Sequence, residues 1–198
     1  MCLLFETIKV KGNRLQHVDY HNLRLNKSRR ELFDASDSWD LHSLFDLPIL
    51  NPAIIYRCKL IYGANFHSVE FFPYTIKPLQ TLKLVRVDSI SYQYKYLDRK
   101  VLDYHKLLYP EADDIIFVVG TQITDCTYAN LVFSDGQNWI TPSSPLLRGT
   151  KRQQYIDEQI ISEAVIDVDG LKRFKKLKII NAMIDLADSP EIDMVNIF

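Results

Sequence analysis

Strand-like runs cluster rather than alternate regularly with helices in this chain, and that excludes more folds than any other feature. Residues 2–10 are alternating and β-branched and end at Lys11-Gly12-Asn13, a hairpin turn signal, with a short strand expected at 14–17. Further strands are predicted at 53–62, 67–73 and 80–88, the first two joined only by Gly63-Ala64-Asn65. Apolar residues at helical spacing (Leu23, Leu25, Leu32, Phe33) predict a helix over 18–34 with Asp19 as its N-cap, and a short helix is expected near 38–46. Beyond residue 80 the pattern gives a helix over 97–109 ending at Pro110 and strands at Ile115–Val119, 128–134 and Trp139-Ile140. There follow an amphipathic helix over 150–164, a strand at 164–168, a short helix near 169–173 and a strand at 175–181. Such irregular alternation predicts mixed α+β architecture rather than a doubly wound parallel sheet. The expected division is a small N-terminal α+β domain, 1–79, and a larger C-terminal α+β domain, 80–198.

Composition narrows the function. Lysines, arginines and acids are interspersed and the net charge is −1, so no basic footprint for nucleic acid or an anionic membrane is present. The run Lys172-Arg173-Phe174-Lys175-Lys176 reads as a solvated segment before a strand. No stretch approaches the roughly 20 apolar residues of a membrane span, and Glu6 interrupts the apolar start too early for a signal peptide. Cys2, Cys58 and Cys126 lack metal or disulfide spacing, and the five histidines show no ligand pattern. A reduced, cytoplasmic protein without a metal site is expected.

Several residues carry chemistry. Lys95 stands among Tyr92, Tyr94 and Tyr96, and an amine attacks a carbonyl only when deprotonated, which desolvation favours. Read alone it is a strand-end lysine lying over tyrosines. Gly149-Thr150-Lys151-Arg152 opens a helix whose unpaired N–H groups and dipole favour an anion, and read alone it is a capping signal. Arg24 lies between Leu23 and Leu25, which favours a buried partner for its planar fork. Glu6 reads either as a site residue or as a polar position alternating on a half-exposed strand.

The order of these parts, Lys95, then Asp125 with Asn130 five residues on, then Gly149-Thr150-Lys151-Arg152 at a helix start, resembles the class IV aminotransferases, the fold-type IV pyridoxal-phosphate enzymes. Phe5-Glu6-Thr7, His21-Asn22-Leu23-Arg24-Leu25 and Asn181-Ala182-Met183 match further family segments, and the resemblance runs from Phe5 to the C-terminus. Within the family the arginine four places after the lysine, Arg99, is similar to the 4-amino-4-deoxychorismate lyases. The resemblance implies a D-amino acid aminotransferase-like fold with a truncated N-terminal part, pyridoxal 5'-phosphate as cofactor, an amino-acid-type substrate and a homodimer. It implies that Lys95 is the Schiff-base and acid–base lysine. Arg24 would bind the cofactor phosphate together with Gly149, Thr150, Lys151, Asn181 and Ala182. Asp125 would pair with the pyridinium nitrogen, whose protonation makes the ring an electron sink. Asn130 is expected on the same strand as Asp125. Glu6 is expected on the substrate side or paired with Arg24, and Arg99, Arg57 and Arg148 are candidates for the substrate carboxylate. Two departures stand out: Asp125 replaces a family glutamate one methylene longer, and Lys151 replaces a threonine. Transamination, lyase chemistry and cofactor binding with little catalysis all remain compatible with these residues.

Overall fold

The first hairpin forms where the sequence predicts it. In the computed structural model, which describes residues 2–198, β1 (Leu4–Lys11) turns through Gly12 and Asn13 into β2 (Arg14–Leu15). Both turn residues have φ near +55 to +59°, the left-handed pair of a two-residue hairpin that matches strand twist. Next come α1 (Val18–Phe33), α2 (Leu41–Leu44), β3 (Tyr56–Tyr62) and β4 (Phe66–Pro73). The four strands make an antiparallel sheet in the order β2-β1-β3-β4. Asp19 is not the N-cap of α1: His17 holds that place with φ 54° and no side-chain cap, and Asp19 lies in the first turn.

By its contacts the chain groups into two compact units, one reaching to Ile76 and including Tyr94–Asp98, the other comprising Lys77–Gln93 and Arg99–Phe198. In the first unit the register pairs Leu4 with Tyr62, Glu6 with Leu60 and Ile8 with Cys58. Because side chains alternate across a strand, these residues share one face. Leu4, Ile8, Leu25, Leu41, Cys58 and Leu60 are fully buried there, each large aliphatic side chain contributing about 1.5–3 kcal/mol. Glu6 is therefore set into an apolar face. The segment Tyr94–Asp98 lies along the β1 edge: the Phe5 N–H donates to the Lys95 carbonyl (3.0 Å) and the Leu97 N–H to the Leu3 carbonyl (2.9 Å).

The second unit is built from β5 (Leu82–Val87), α3 (Lys100–Leu107), β6 (Asp114–Val119), β7 (Gln122–Cys126), β8 (Asn130–Ser134) and β9 (Trp139–Pro142). It continues with α4 (Thr150–Asp157), β10 (Ser162–Ala164), β11 (Lys176–Ile180) and β12 (Glu191–Asp193), with 3₁₀ turns at Asp169–Arg173 and Met194–Asn196. Its strands run in the order β10-β9-β8-β7-β6-β5, and β11 pairs with both β8 and β12. The β5–β6 and β9–β10 pairs are parallel and the others antiparallel. β6 and β8 are buried almost throughout, as strands covered on both faces must be.

Two expectations fail here for physical reasons. The helix predicted over 150–164 ends at Asp157, because Gln159 takes a left-handed conformation (φ 57°) and the Ile160 and Ile161 N–H groups both return to the Tyr155 carbonyl. The following residues pair with β9 instead. Asp125 and Asn130 are not on one strand. They end β7 and begin β8 and face each other directly across that hairpin.

Candidate active site

In the first unit, Glu6 organises a buried polar cluster in the apolar face between β1 and α1. Its side chain is 0% exposed. Arg24 grips it with both arms, Nε donating to Oε1 (2.8 Å) and Nη2 to Oε2, while His21 Nδ1 donates to Oε2 (2.6 Å). His21 and Arg24 stand three apart on α1, so both point to the same face. Burial alone would push the Glu6 carboxyl up, but the Arg24 charge and the hydrogen bonds from His21 and Arg24 pull it down to about 2. Burial lowers the His21 imidazole pKa against the pull of Glu6, and the charges of Arg24 and Lys95 add to that lowering. Lys95 itself is half-buried, with Nζ 4.6 Å from the centre of the Phe5 ring. Tyr94 and Tyr96 stack edge-to-face at 5.9 Å. The structure thus pairs Glu6 with Arg24 on one face of β1 and sets Lys95 beside Phe5, which points to the other face. It adds His21, whose role no spacing in the sequence revealed.

In the second unit, the Asp125–Asn130 pair sets the second group. Asn130 Nδ2 donates to Asp125 Oδ1 (2.8 Å) and to the Leu147 carbonyl (2.9 Å), and the Leu147 N–H donates to Asp125 Oδ2 (3.0 Å). Asp125 is 4% exposed, and burial pushes its carboxyl up to about 6 against these donors and the nearby Arg152 charge. Each carboxylate oxygen keeps a second lone pair for a further donor.

The Leu147–Gly149 loop leads into α4, whose N-cap is Gly149, with no side chain capping its first N–H groups. A Cβ at Gly149 would stand 2.1 Å from Asn130 Oδ1, so the close approach of this loop to Asn130 requires glycine. Thr150, Lys151 and Arg152 are all buried. Arg152 Nη2 reaches Glu163 and the Pro142 carbonyl, while its Nε and Nη1 are buried without a partner among the described residues. Lys151 Nζ pairs with Asp185 Oδ1 (2.6 Å) and donates to Gln154 Oε1 (3.0 Å). Asn181 follows β11 and accepts the Met183 (2.8 Å) and Ile184 (3.1 Å) N–H groups through Oδ1, fixing a turn that includes the half-buried Ala182. Asp185 carries no sequence signal, because nothing in its spacing ties it to residue 151.

The arginines suggested for a substrate carboxylate are differently placed. Arg99 donates Nη2 to the Thr127 carbonyl (2.8 Å), Arg57 lies over the Phe72 ring (5.1 Å), and Arg148 is exposed. Among the described residues no group of histidine, cysteine, aspartate or glutamate side chains is arranged to hold a metal ion, and no helix is long and apolar enough to cross a membrane.

The family model for class IV amino-transferases matches residues 76–191. A protein of Haemophilus influenzae whose own role is uncharacterised is 34% identical over 182 residues, 91% of this chain and 97% of that one. Among solved structures, a candidate 4-amino-4-deoxychorismate lyase from Haemophilus somnus superposes with a TM-score of 0.85 at 29% identity, covering 92% of this chain and 97% of that one. A hypothetical aminotransferase from Mycobacterium tuberculosis in its pyridoxal-phosphate-bound form gives 0.71 at 17% identity, covering 96% and 80%, and shows a likeness of fold.

Proposed function

Because this chain belongs to the class IV amino-transferases, a family of pyridoxal-phosphate enzymes, we propose that it acts on an amino-acid-type substrate, with Lys95 as the residue that carries the cofactor and moves the substrate proton. The residues present fit that cofactor. Phosphate needs unpaired N–H donors, and α4 offers an uncapped first turn with two unpartnered buried N–H groups of Arg152 in it. The ring nitrogen needs an anion, and Asp125 is buried, held by two donors and ionised above about pH 6. When bound, the cofactor supplies an electron sink for the pair of electrons left when the substrate α-carbon loses its proton.

Lys95 Nζ takes that proton and returns it, a task suited to an amine on a fixed edge beside an aromatic ring. Arg24 is assigned to the phosphate, and Glu6 orients its fork. Gly149, Thr150 and Lys151 are assigned to the phosphate through their backbone, with Asn181 and Ala182 completing that end. The observation that supports this reading is Lys95 held on β1 beside Phe5, next in sequence to Glu6 and near enough for its charge to bear on His21 of the Glu6–His21–Arg24 cluster. Arg99 remains the substrate-side candidate, half-buried on the segment that follows Lys95.

A second reading, release of pyruvate from 4-amino-4-deoxychorismate to leave 4-aminobenzoate, is favoured by the 29% identity to the candidate lyase. It uses the same proton removal by Lys95. A homodimer is supported by α3 and its C-cap, where Val101, Tyr104, Leu107 and Leu108 are each more than half exposed. Three unpaired cysteines support a reduced, cytoplasmic setting.

The test is absorption spectroscopy with added pyridoxal phosphate, borohydride reduction and peptide mapping, then assays on amino acids and on aminodeoxychorismate. A visible band with the reduced adduct on Lys95 is expected, and an adduct scattered over exposed lysines would overturn the assignment. Turnover of aminodeoxychorismate alone would select the lyase reading. A Lys95 adduct without any turnover would leave a cofactor-binding homologue.

A further inference from the structure

Two segments of the second unit that are assigned above to the cofactor phosphate are joined by side chains that no step so far uses. Lys151 is the second residue of α4, yet its side chain is only 2% exposed. An ammonium so buried is costly unless paired. Its pairing is directed away from the helix axis, to Asp185 Oδ1 at 2.6 Å and Gln154 Oε1 at 3.0 Å, with Nζ 5.3 Å from the centre of the Tyr155 ring. One turn further along α4, the Tyr155 hydroxyl accepts the Leu186 N–H (3.1 Å) and reaches the same Asp185 oxygen (3.4 Å). The turn they meet is internally fixed by Asn181 and by the Asp188 N–H on the Asp185 carbonyl (3.0 Å). Lys178 Nζ on the Leu186 carbonyl (3.1 Å) ties it to β11, and the contacts from Lys151 and Tyr155 join it to α4.

We propose that Lys151 is a positioning residue: its ion pair with Asp185 holds the 181–188 turn against the first turn of α4, so that backbone N–H groups of both stay set for one phosphate. The ammonium does not serve as the counter-ion itself, because Asp185 already neutralises it. This inference rests on the assignment of these segments to the cofactor phosphate.

The two roles predict opposite results for Asp185→Asn. A counter-ion released from its carboxylate binds phosphate as well or better. A clamp that loses its partner binds it worse. The experiment titrates apoprotein with pyridoxal phosphate and, separately, with pyridoxal, which lacks the phosphate, following absorption or tryptophan fluorescence. Lys151→Met and Asp185→Asn should each weaken pyridoxal phosphate by roughly tenfold, the lower end of the effect of groups that orient binding groups. Pyridoxal affinity should be unchanged. The double variant Lys151→Met/Asp185→Leu buries no unpaired charge, so it folds in either case, and it should lose no more than one single variant loses.

Unchanged or tighter pyridoxal phosphate binding in Asp185→Asn, or wild-type affinity in the double variant, overturns the clamp. An equal loss for both ligands also overturns it, since a merely structural role moves them together. A wild-type protein with no preference for pyridoxal phosphate over pyridoxal would instead overturn the phosphate assignment, and the clamp with it.

Discussion

Gly149→Ala is the substitution whose cost the geometry defines best. The φ and ψ of Gly149 (−66°, 145°) suit alanine, so backbone strain contributes nothing. What the methyl group meets is Asn130 Oδ1 at 2.1 Å, far inside van der Waals contact. Asn130 is 5% exposed and lies on β8, paired to both β7 and β11, so its backbone cannot withdraw. Its side chain must rotate, and rotation breaks the amide's bonds to the Asp125 carboxylate and to the Leu147 carbonyl. A bond to a charged group is worth about 1.5–3 kcal/mol and a neutral one about 0.5–1.5, so the clash costs roughly 2–4 kcal/mol. Replacing glycine by alanine at an N-cap adds up to about 1 kcal/mol. A total near 3 kcal/mol lowers Tm by about 6–12 °C in a chain of this length. Urea unfolding of wild type, Gly149→Ala, Asn130→Ala and the double variant, followed by circular dichroism, separates the two contributions. In the Asn130→Ala background the clash is gone and only the cap loss of up to about 1 kcal/mol should remain. A loss below about 0.5 kcal/mol in the single variant, or the same loss in both backgrounds, refutes the reasoning.

Glu6→Gln should destabilise by about 3–5 kcal/mol, since it leaves the Arg24 guanidinium facing a neutral amide in an apolar face. With the Glu6 carboxyl lowered from 4.5 to about 2, its contribution is complete above pH 4.5 and lost as pH falls toward 2, so acid melting curves of the variant should be flatter there; an identical slope counts against the cluster. Asp125 is raised from 3.8 to about 6, so in apoprotein its contribution is present below pH 4 and lost as pH rises through 6; Asp125→Asn should abolish that slope and the matching rise in cofactor affinity, measured by titration at pH 5 and 7. Cys2 is exposed, whereas burial pushes the Cys58 thiol up to about 12 and the Cys126 thiol well above its ordinary value. A disulfide reagent should therefore titrate one thiol quickly in native protein and three in denaturant, and a second fast thiol would show that one buried site opens.

Local signals found most elements because turn chemistry and periodicity act at short range. Gly12-Asn13 specifies its hairpin in two residues, and the strands at 56–62, 66–73 and 82–87 fall within a few residues of their predicted bounds. Failures fall where tertiary contacts decide. Helical apolar spacing continues past Asp157, but Ile161 is buried and the following residues pair with β9, so a sheet edge takes a segment that local pattern gave to a helix. Asp125 and Asn130 are expected on one strand, and the pairing of β7 with β8 sets them across a hairpin instead. Glu6 sits where alternation predicts solvent on one side, but α1 covers that face. Its pairing with Arg24, 18 residues away, is expected only through the family resemblance, whereas His21 at 15 residues and Asp185, 34 residues from Lys151, have no such signal.

Those long-range pairs share a property that bears on how an anion is held. Arg24 faces Glu6, Arg29 faces Asp37, Lys151 faces Asp185 and Arg152 faces Glu163. Each of these cations brings its own acid, so its positive charge is balanced before any ligand arrives. A phosphate added at the start of α4 would meet oriented N–H groups more than net charge. Coulombic attraction tolerates an error in position, falling off only as the inverse of distance, whereas hydrogen bonds weaken steeply outside about 2.7–3.2 Å. A site built on N–H groups therefore depends on backbone placement. Gly149 packed on Asn130 and the Lys151–Asp185 pair are two devices in the second unit that fix that placement, and substitutions at either should cost affinity by moving the backbone.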